Sequence, residues 1–176
     1  MPIQIKELQV KAAGTESVAD VFLHVVTKRA GRIKGEGTTE GHVDDIVVHT
    51  WTWGVAANTA IGSTQATGRR SYRNLVLTKG IDAASTALLS ALVTNDEVKE
   101  ATLTMRKAGG EALDYFSMKL SGARVVNVEL AASPSGFAVE HVTIAFTKVE
   151  IEYKRQEQAG LGAGATSFID EILPPG

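Results

Sequence analysis

A mainly β fold, either a closed β-barrel or a two-sheet sandwich with one short α-helix, is what this sequence predicts. Apolar and polar residues alternate in several short runs, the period of half-buried strands. Glycine occurs 17 times against four prolines, a balance that suits tight turns and leaves paired strands uninterrupted. Only one segment has helical spacing. A chain of 176 residues with 44% apolar content is long enough for one domain with its own core.

The elements follow in order. Val21 to Val26 is a compact β-branched strand that ends at the charged turn Lys28-Arg29-Ala30-Gly31. Ile46 to Trp53 reads as one strand, with Val47, His49, Trp51 and Trp53 on one face and Ile46, Val48, Thr50 and Thr52 on the other. Leu75 and Leu77, then Leu103 and Met105, then Phe116, Met118 and Leu120 alternate with polar neighbours. The last strand is the longest. Its apolar phase runs through Val142, Ile144 and Phe146 and then flips to Val149, Ile151 and Tyr153, a step that a β-bulge would absorb in a strand shared between sheets. The single helix is capped by Asp82, carries Ala84, Leu88, Leu89, Leu92 and Val93 at helical spacing, and closes at Thr94-Asn95. About eight strands and one helix result.

Two stretches resist this pattern. Gly54 to Ser71 is rich in small residues and has no clear period. Structureless loops beyond about 12–15 residues are usually functional or disordered. Gln156 to Gly176 carries GLGAGATS and ends LPPG, and reads as a tail, loose alone or ordered only against a neighbour.

Composition narrows the function. Lys+Arg total 18 against Asp+Glu 20, a net charge of −2, which is no footprint for nucleic acid. The absence of cysteine excludes disulfides, thiolate metal sites and a cysteine nucleophile. Lys6 and Glu7 interrupt the apolar stretch a signal peptide needs, and no run approaches the roughly 18 apolar residues of a membrane span. The expectation is synthesis in the cytoplasm, no cleaved leader and no membrane insertion.

No catalytic constellation emerges. His24, His42, His49 and His141 are never at i, i+2 or i, i+4, the spacings that aim two imidazoles at one metal. Glu40, Asp44 and Asp45 bracket His42, so a hydrolase using His42 with Asp44 or Asp45 is one reading and a polar hairpin approach is the other. Gly31 to Gly41 lacks the G-K-[ST] of a phosphate loop, and Gly160, Gly162 and Gly164 have too little chain after them for a dinucleotide unit. Ser133-Pro134-Ser135-Gly136 sits where a hairpin turn is expected. No cofactor, metal or catalytic residue is assigned.

Several blocks in order carry a resemblance. VFLHVV…GRIKGEGTTEGHVDDIVVHTWTWGV, from Val21 to Val55, is similar to the opening of the Hcp family, the tube protein of type VI secretion systems. Its strand, its I-x-G-E-like segment at Ile33-Lys34-Gly35-Glu36, its histidine and its W-x-W-G are here Phe22-Leu23, those four residues, His42 and Trp51-Thr52-Trp53-Gly54. LVLTKGIDAASTALLSAL resembles the strand leading into that family's single helix, with Thr78-Lys79 and Asp82 in place. ATLTMRKAGG with DYFSMKLSGARVVNVEL resembles its hairpin, and VEHVTIAFTKVEIEYKRQ its final strand. The resemblance divides the chain into an N-terminal extension at 1–20, an Hcp-like β-barrel domain at 21–156 and a C-terminal tail at 157–176.

What the resemblance implies is a homohexameric ring that stacks into an expelled tube. The implied partners are a VgrG-like spike, a contractile sheath and effector proteins carried in the lumen. Stacking needs a projection, and the long loop is the candidate, through Gly54, Ala56, Asn58, Ile61, Gly62, Thr64, Arg69, Arg70 and Arg73. Its arginines are expected to meet acidic residues of the next ring. The competing reading is a monomeric β-barrel holding a small apolar ligand.

Overall fold

The structure, a computed structural model, describes residues 19–58, 69–107, 113–155 and 164–172. Among these are twelve strands and one helix. The strands are β1 (Asp20–Thr27), β2 (Gly31–Ile33), β3 (Ile46–Val48), β4 (Thr50–Thr52), β5 (Val55–Asn58), β6 (Arg69–Tyr72) and β7 (Leu75–Gly80). After α1 (Ser85–Val93) come β8 (Val98–Arg106), β9 (Asp114–Ala132), β10 (Ala138–Ala145), β11 (Lys148–Lys154) and β12 (Ala165–Glu171). All pairings are antiparallel.

The main sheet has ten strands in the order β2-β1-β8-β9-β10-β7-β4, with β3 on β1 and β11 between β9 and β12. Among the described residues the expected closed barrel is not formed. The segment read as one strand from Ile46 to Trp53 breaks at His49: β3 pairs with β1 and β4 pairs with β7. The inward phase changes at that break, with Ile46 and Val48 buried before it and Trp51 and Trp53 packed against the core after it. A straight strand cannot face one core with both sets, because its side chains keep a strict period of two.

The long strand is β9 and not the C-terminal one. Its first half lies between β8 and β11, and its second half pairs with β10. The predicted face flip between Phe146 and Val149 is real, but it is not a bulge in one strand. The register Ala145↔Arg124 and Lys148↔Ser121 is continuous across it, while the buried residues of β9 flip in step, from Leu120 to Ala123. Both strands bend at one rung. Gly122 sits there at φ +55°, and a Cβ on it would lie 2.1 Å from Thr147 Oγ1, so only glycine fits.

A single core joins the two halves, with Leu23, Leu75, Leu88, Leu103, Met118, Leu120, Val142 and Ile144 essentially without exposed surface. The helix covers one side of it through Leu88 and Ala91, whereas Val93 is 78% exposed. Asp82 caps the helix from two residues ahead of the N-cap position, Ala84. The first turn is closed by a reciprocal pair, Ala84 N–H to Asp82 Oδ1 at 2.9 Å and Asp82 N–H to Ser85 Oγ at 3.0 Å. At the other end Asn95 adopts φ 51°, and the amides of Asn95 and Asp96 donate to Leu92 O and Ala91 O. That is a Schellman closure with asparagine in the left-handed position.

The C-terminal tail is corrected in part. Ala165–Glu171 is a strand paired with β11 over seven residues, from Lys148↔Glu171 to Lys154↔Ala165. Polar alternation hid it, since its side chains are mostly exposed. Residues 156–163 and 173–176 lie outside the described residues.

Candidate functional site

The stretch Gly54 to Ser71, read as a loop without period, begins and ends as a hairpin. β5 and β6 pair through Val55↔Tyr72, Ala56↔Ser71, Ala57↔Arg70 and Asn58↔Arg69, and form a two-stranded ribbon separate from the main sheet. Of the residues assigned to the contact, Gly54, Ala56, Arg70 and Arg73 are described. Asn58 and Arg69 are placed by their backbone, and Ile61, Gly62 and Thr64 lie outside the described residues. Small side chains carried no strand signal here, and the pairing is legible only from the ladder.

Val55, Ala56, Ala57, Arg70 and Ser71 are all exposed. An isolated two-stranded hairpin is marginal in water, so the ribbon depends on its root. There Trp53, Tyr72 and Phe146 pack as an aromatic trio, with ring centroids 6.2 to 6.4 Å apart. Arg73 N–H continues the ladder to Gly54 O at 2.9 Å.

Arg70 was expected to reach another ring. Its Nη1 lies 3.0 Å from Asp170 Oδ2 of β12 in the same chain, and the Tyr72 hydroxyl donates to the same oxygen. The Tyr72 hydrogen bond, with the nearby Arg70 charge, holds the Asp170 carboxyl below its ordinary range. Burial, then that carboxylate, pushes the Tyr72 phenol up.

The hydrolase reading draws on His42. The ring is buried and stacked on Phe22, centroids 4.2 Å apart and planes 5° from parallel. Nδ1 is 2.9 Å from Asp45 Oδ2, and Nε2 is 3.1 Å from both oxygens of Asp114. Asp44 is not in the cluster; it faces Lys34. Asp45 also holds His24 Nδ1 and Arg32, and Asp114 holds Arg106 Nε at 2.7 Å. Burial alone would raise both carboxyls, but the hydrogen bonds from His42, His24 and Arg32 at Asp45, and from Arg106 and His42 at Asp114, hold them below the usual carboxylate range. Every ring nitrogen is occupied by a structural partner, so this base has no open side for a substrate or water. The cluster ties the Gly35–Asp45 segment to β1 and β9. Gly35 lets the segment fold back on itself, because a Cβ there would lie 2.6 Å from the Asp45 carbonyl oxygen.

The other histidines stay apart. His141 Nδ1 meets Thr78 Oγ1 at 3.1 Å, and His49 is exposed at the strand break. The interior that a small-ligand barrel would keep open is filled by Leu23, Leu103, Met118 and Leu120. A cavity of about 440 Å³ lies instead at the surface beside Asp20, Glu36, Val47 and His49.

One buried polar cluster was missed. Lys79 Nζ lies 2.5 Å from Glu140 Oε2, 2.8 Å from Asp82 Oδ1 and 3.2 Å from Ser85 Oγ, with no exposed surface on Lys79 or Glu140. The signal was present: Lys79 keeps the inward phase of Leu75 and Leu77, and Glu140 that of Val142 and Ile144.

Comparison with known proteins converges on one group. The family model described as "Type VI secretion system effector, Hcp" matches residues 22–153. Protein hcp1 of Pseudomonas aeruginosa is 30% identical over 149 residues, which is 82% of this chain and 89% of that protein. The crystal structure of Hcp1 from Salmonella typhimurium superposes with a TM-score of 0.69 at 26% identity, covering 88% of this chain and 94% of its own. Hcp1 from the E. coli EAEC 042 pathovar gives a TM-score of 0.75 at 23% identity, over 89% and 100% of the two chains; that likeness speaks for the fold alone.

Proposed function

Because this chain belongs to the Hcp family of type VI secretion proteins, we propose that it is a tube subunit that closes into a homohexameric ring and stacks through its β5–β6 hairpin. The family is one of structural, secreted proteins, and function here follows from assembly. The observation that carries the stacking role is the ribbon itself. Among the described residues its two strands pair only with each other, and the exposed Ala56, Ala57 and Ser71 are small enough for close approach of another backbone.

Ring closure calls for a head-to-tail surface repeated by rotation, which the exposed sheet faces and strand edges supply. A VgrG-like spike, a contractile sheath and effector proteins are the proposed partners of the assembled tube. The proposed assembling body runs from 21 through β12, with 1–20 as an extension ahead of it.

The test is deletion within Ala56–Thr67, followed by negative-stain electron microscopy and light scattering on one sample. Rings of an unchanged number of subunits that no longer stack are expected. Stacks of normal length in the deletion variant overturn the hairpin's role, and a monomeric mass for the full chain overturns ring formation.

A further inference from the structure

The hairpin leaves the body through a narrow root, and one side of that root belongs to a strand distant in sequence. We infer that Asp170, on β12, is the positioning residue that orders the β5–β6 hairpin and fixes the direction in which it projects. This rests on the reading of the hairpin as a contact between rings, and assigns that contact an internal regulator.

Three observations converge. Asp170 Oδ2 receives both Arg70 Nη1 at 3.0 Å and the Tyr72 hydroxyl, so a single carboxylate oxygen grips alternate residues of β6. Arg70 and Tyr72 lie on one face of that strand, and two grips on one face restrain both tilt and twist. Charge-assisted bonds of this kind are the stronger ones.

The carboxylate is itself held. Asp170 stands opposite Val149 in the β11 ladder, and Ile172 N–H donates to Thr147 O at 2.6 Å, just beyond the rung where β9 and its partner bend. Asp170 is therefore carried by the main sheet, whereas the ribbon it grips has no other ladder to it among the described residues. β12 also lies outside the 22–153 segment matched by the family model, so the hairpin's orientation is set by a part of this chain that the family pattern does not cover.

The experiment is amide hydrogen exchange on the full chain, comparing wild type with Asp170→Ala, Asp170→Asn and the exchanged pair Arg70→Asp with Asp170→Arg. In Asp170→Ala, residues 55–58 and 69–72 are expected to exchange faster by about tenfold, with β1, β8 and β9 unchanged, as loss of a local anchor predicts. Asp170→Asn keeps the shape and removes the charge, so it falls between the two. The exchanged pair recovers protection that either single charge change loses, which a merely space-filling role would not produce. Unaltered hairpin exchange in Asp170→Ala overturns the assignment, as does an exchanged pair no better protected than its singles. Stack length by electron microscopy of the same samples separates the premise: a loosened hairpin with normal stacks upholds the anchor and overturns the stacking role.

Discussion

Lys79 and Glu140 face each other across β7 and β10 with Nζ and Oε2 2.5 Å apart and neither side chain exposed. Removing one partner of such a pair leaves the other charge buried, at a cost of about 3–5 kcal/mol, whereas replacing both by apolar residues is often close to neutral. Lys79→Met, which strands both Glu140 and Asp82, is expected to lower the urea midpoint sharply. Glu140→Leu should lower it less, because Lys79 keeps Asp82 at 2.8 Å, and the double variant should recover part of the Lys79→Met loss. Singles that unfold like wild type would show that the pair bears little of the fold's stability.

Acid should act through the His42 cluster. Asp45 and Asp114 titrate lower in the folded chain than unfolded. The stability they contribute is complete above the ordinary aspartate value of about 3.9 and is lost as pH falls through their lower folded values. Unfolding free energy measured from pH 6 down to pH 2 is expected to fall in that acid window, less steeply in Asp45→Asn and Asp114→Asn. Equal slopes in all three proteins would remove these carboxylates from the acid response.

At the bend, Gly122→Ala meets two obstacles, the positive φ and the Thr147 hydroxyl. The expected loss is about 1–3 kcal/mol, the range for a strained backbone position. Thr147→Ala in the same chain removes the clash but not the φ strain, so thermal melts should show partial recovery. Full recovery would mean that backbone conformation costs nothing here.

The helix gives a control. Val93 was expected on the buried face, but it stands 78% exposed, and Val93→Ser should change stability by no more than about 0.5 kcal/mol. Leu88→Ala, at a position with no exposure, should cost about 2–5 kcal/mol. Comparable losses at the two positions would place Val93 against a surface.

Periodicity made the strands legible wherever one face meets the core, as at Leu75, Leu103 and Met118. It failed where a strand bends, because a phase change reads as an irregularity of one strand and the partner that shares it is unknown. It failed again where most side chains face away from the core, as in β12 and β5–β6, whose small and polar residues look like loop. The candidate contact was located from its length and composition. The partner of Arg70 was not, because Asp170 is 100 residues away and in a segment with no apolar period. Lys79 and Glu140 were visible as charged residues in an inward phase, but the pattern alone does not pair them.

The bend shared by β9 with β10 and β11 has a bearing on how this chain tolerates changes of length. Between Gly122 and the turn at Ser133–Phe137, the two arms are matched residue for residue except at Val126, which the ladder skips between Val125 and Asn127 and which stands 47% exposed. An inserted residue on either arm would push its successors to the opposite side of the sheet unless it were extruded as Val126 is, or answered by a second insertion across the ladder. Natural variants, peptide tags and grafted epitopes therefore have one permissive address in this hairpin, its tip.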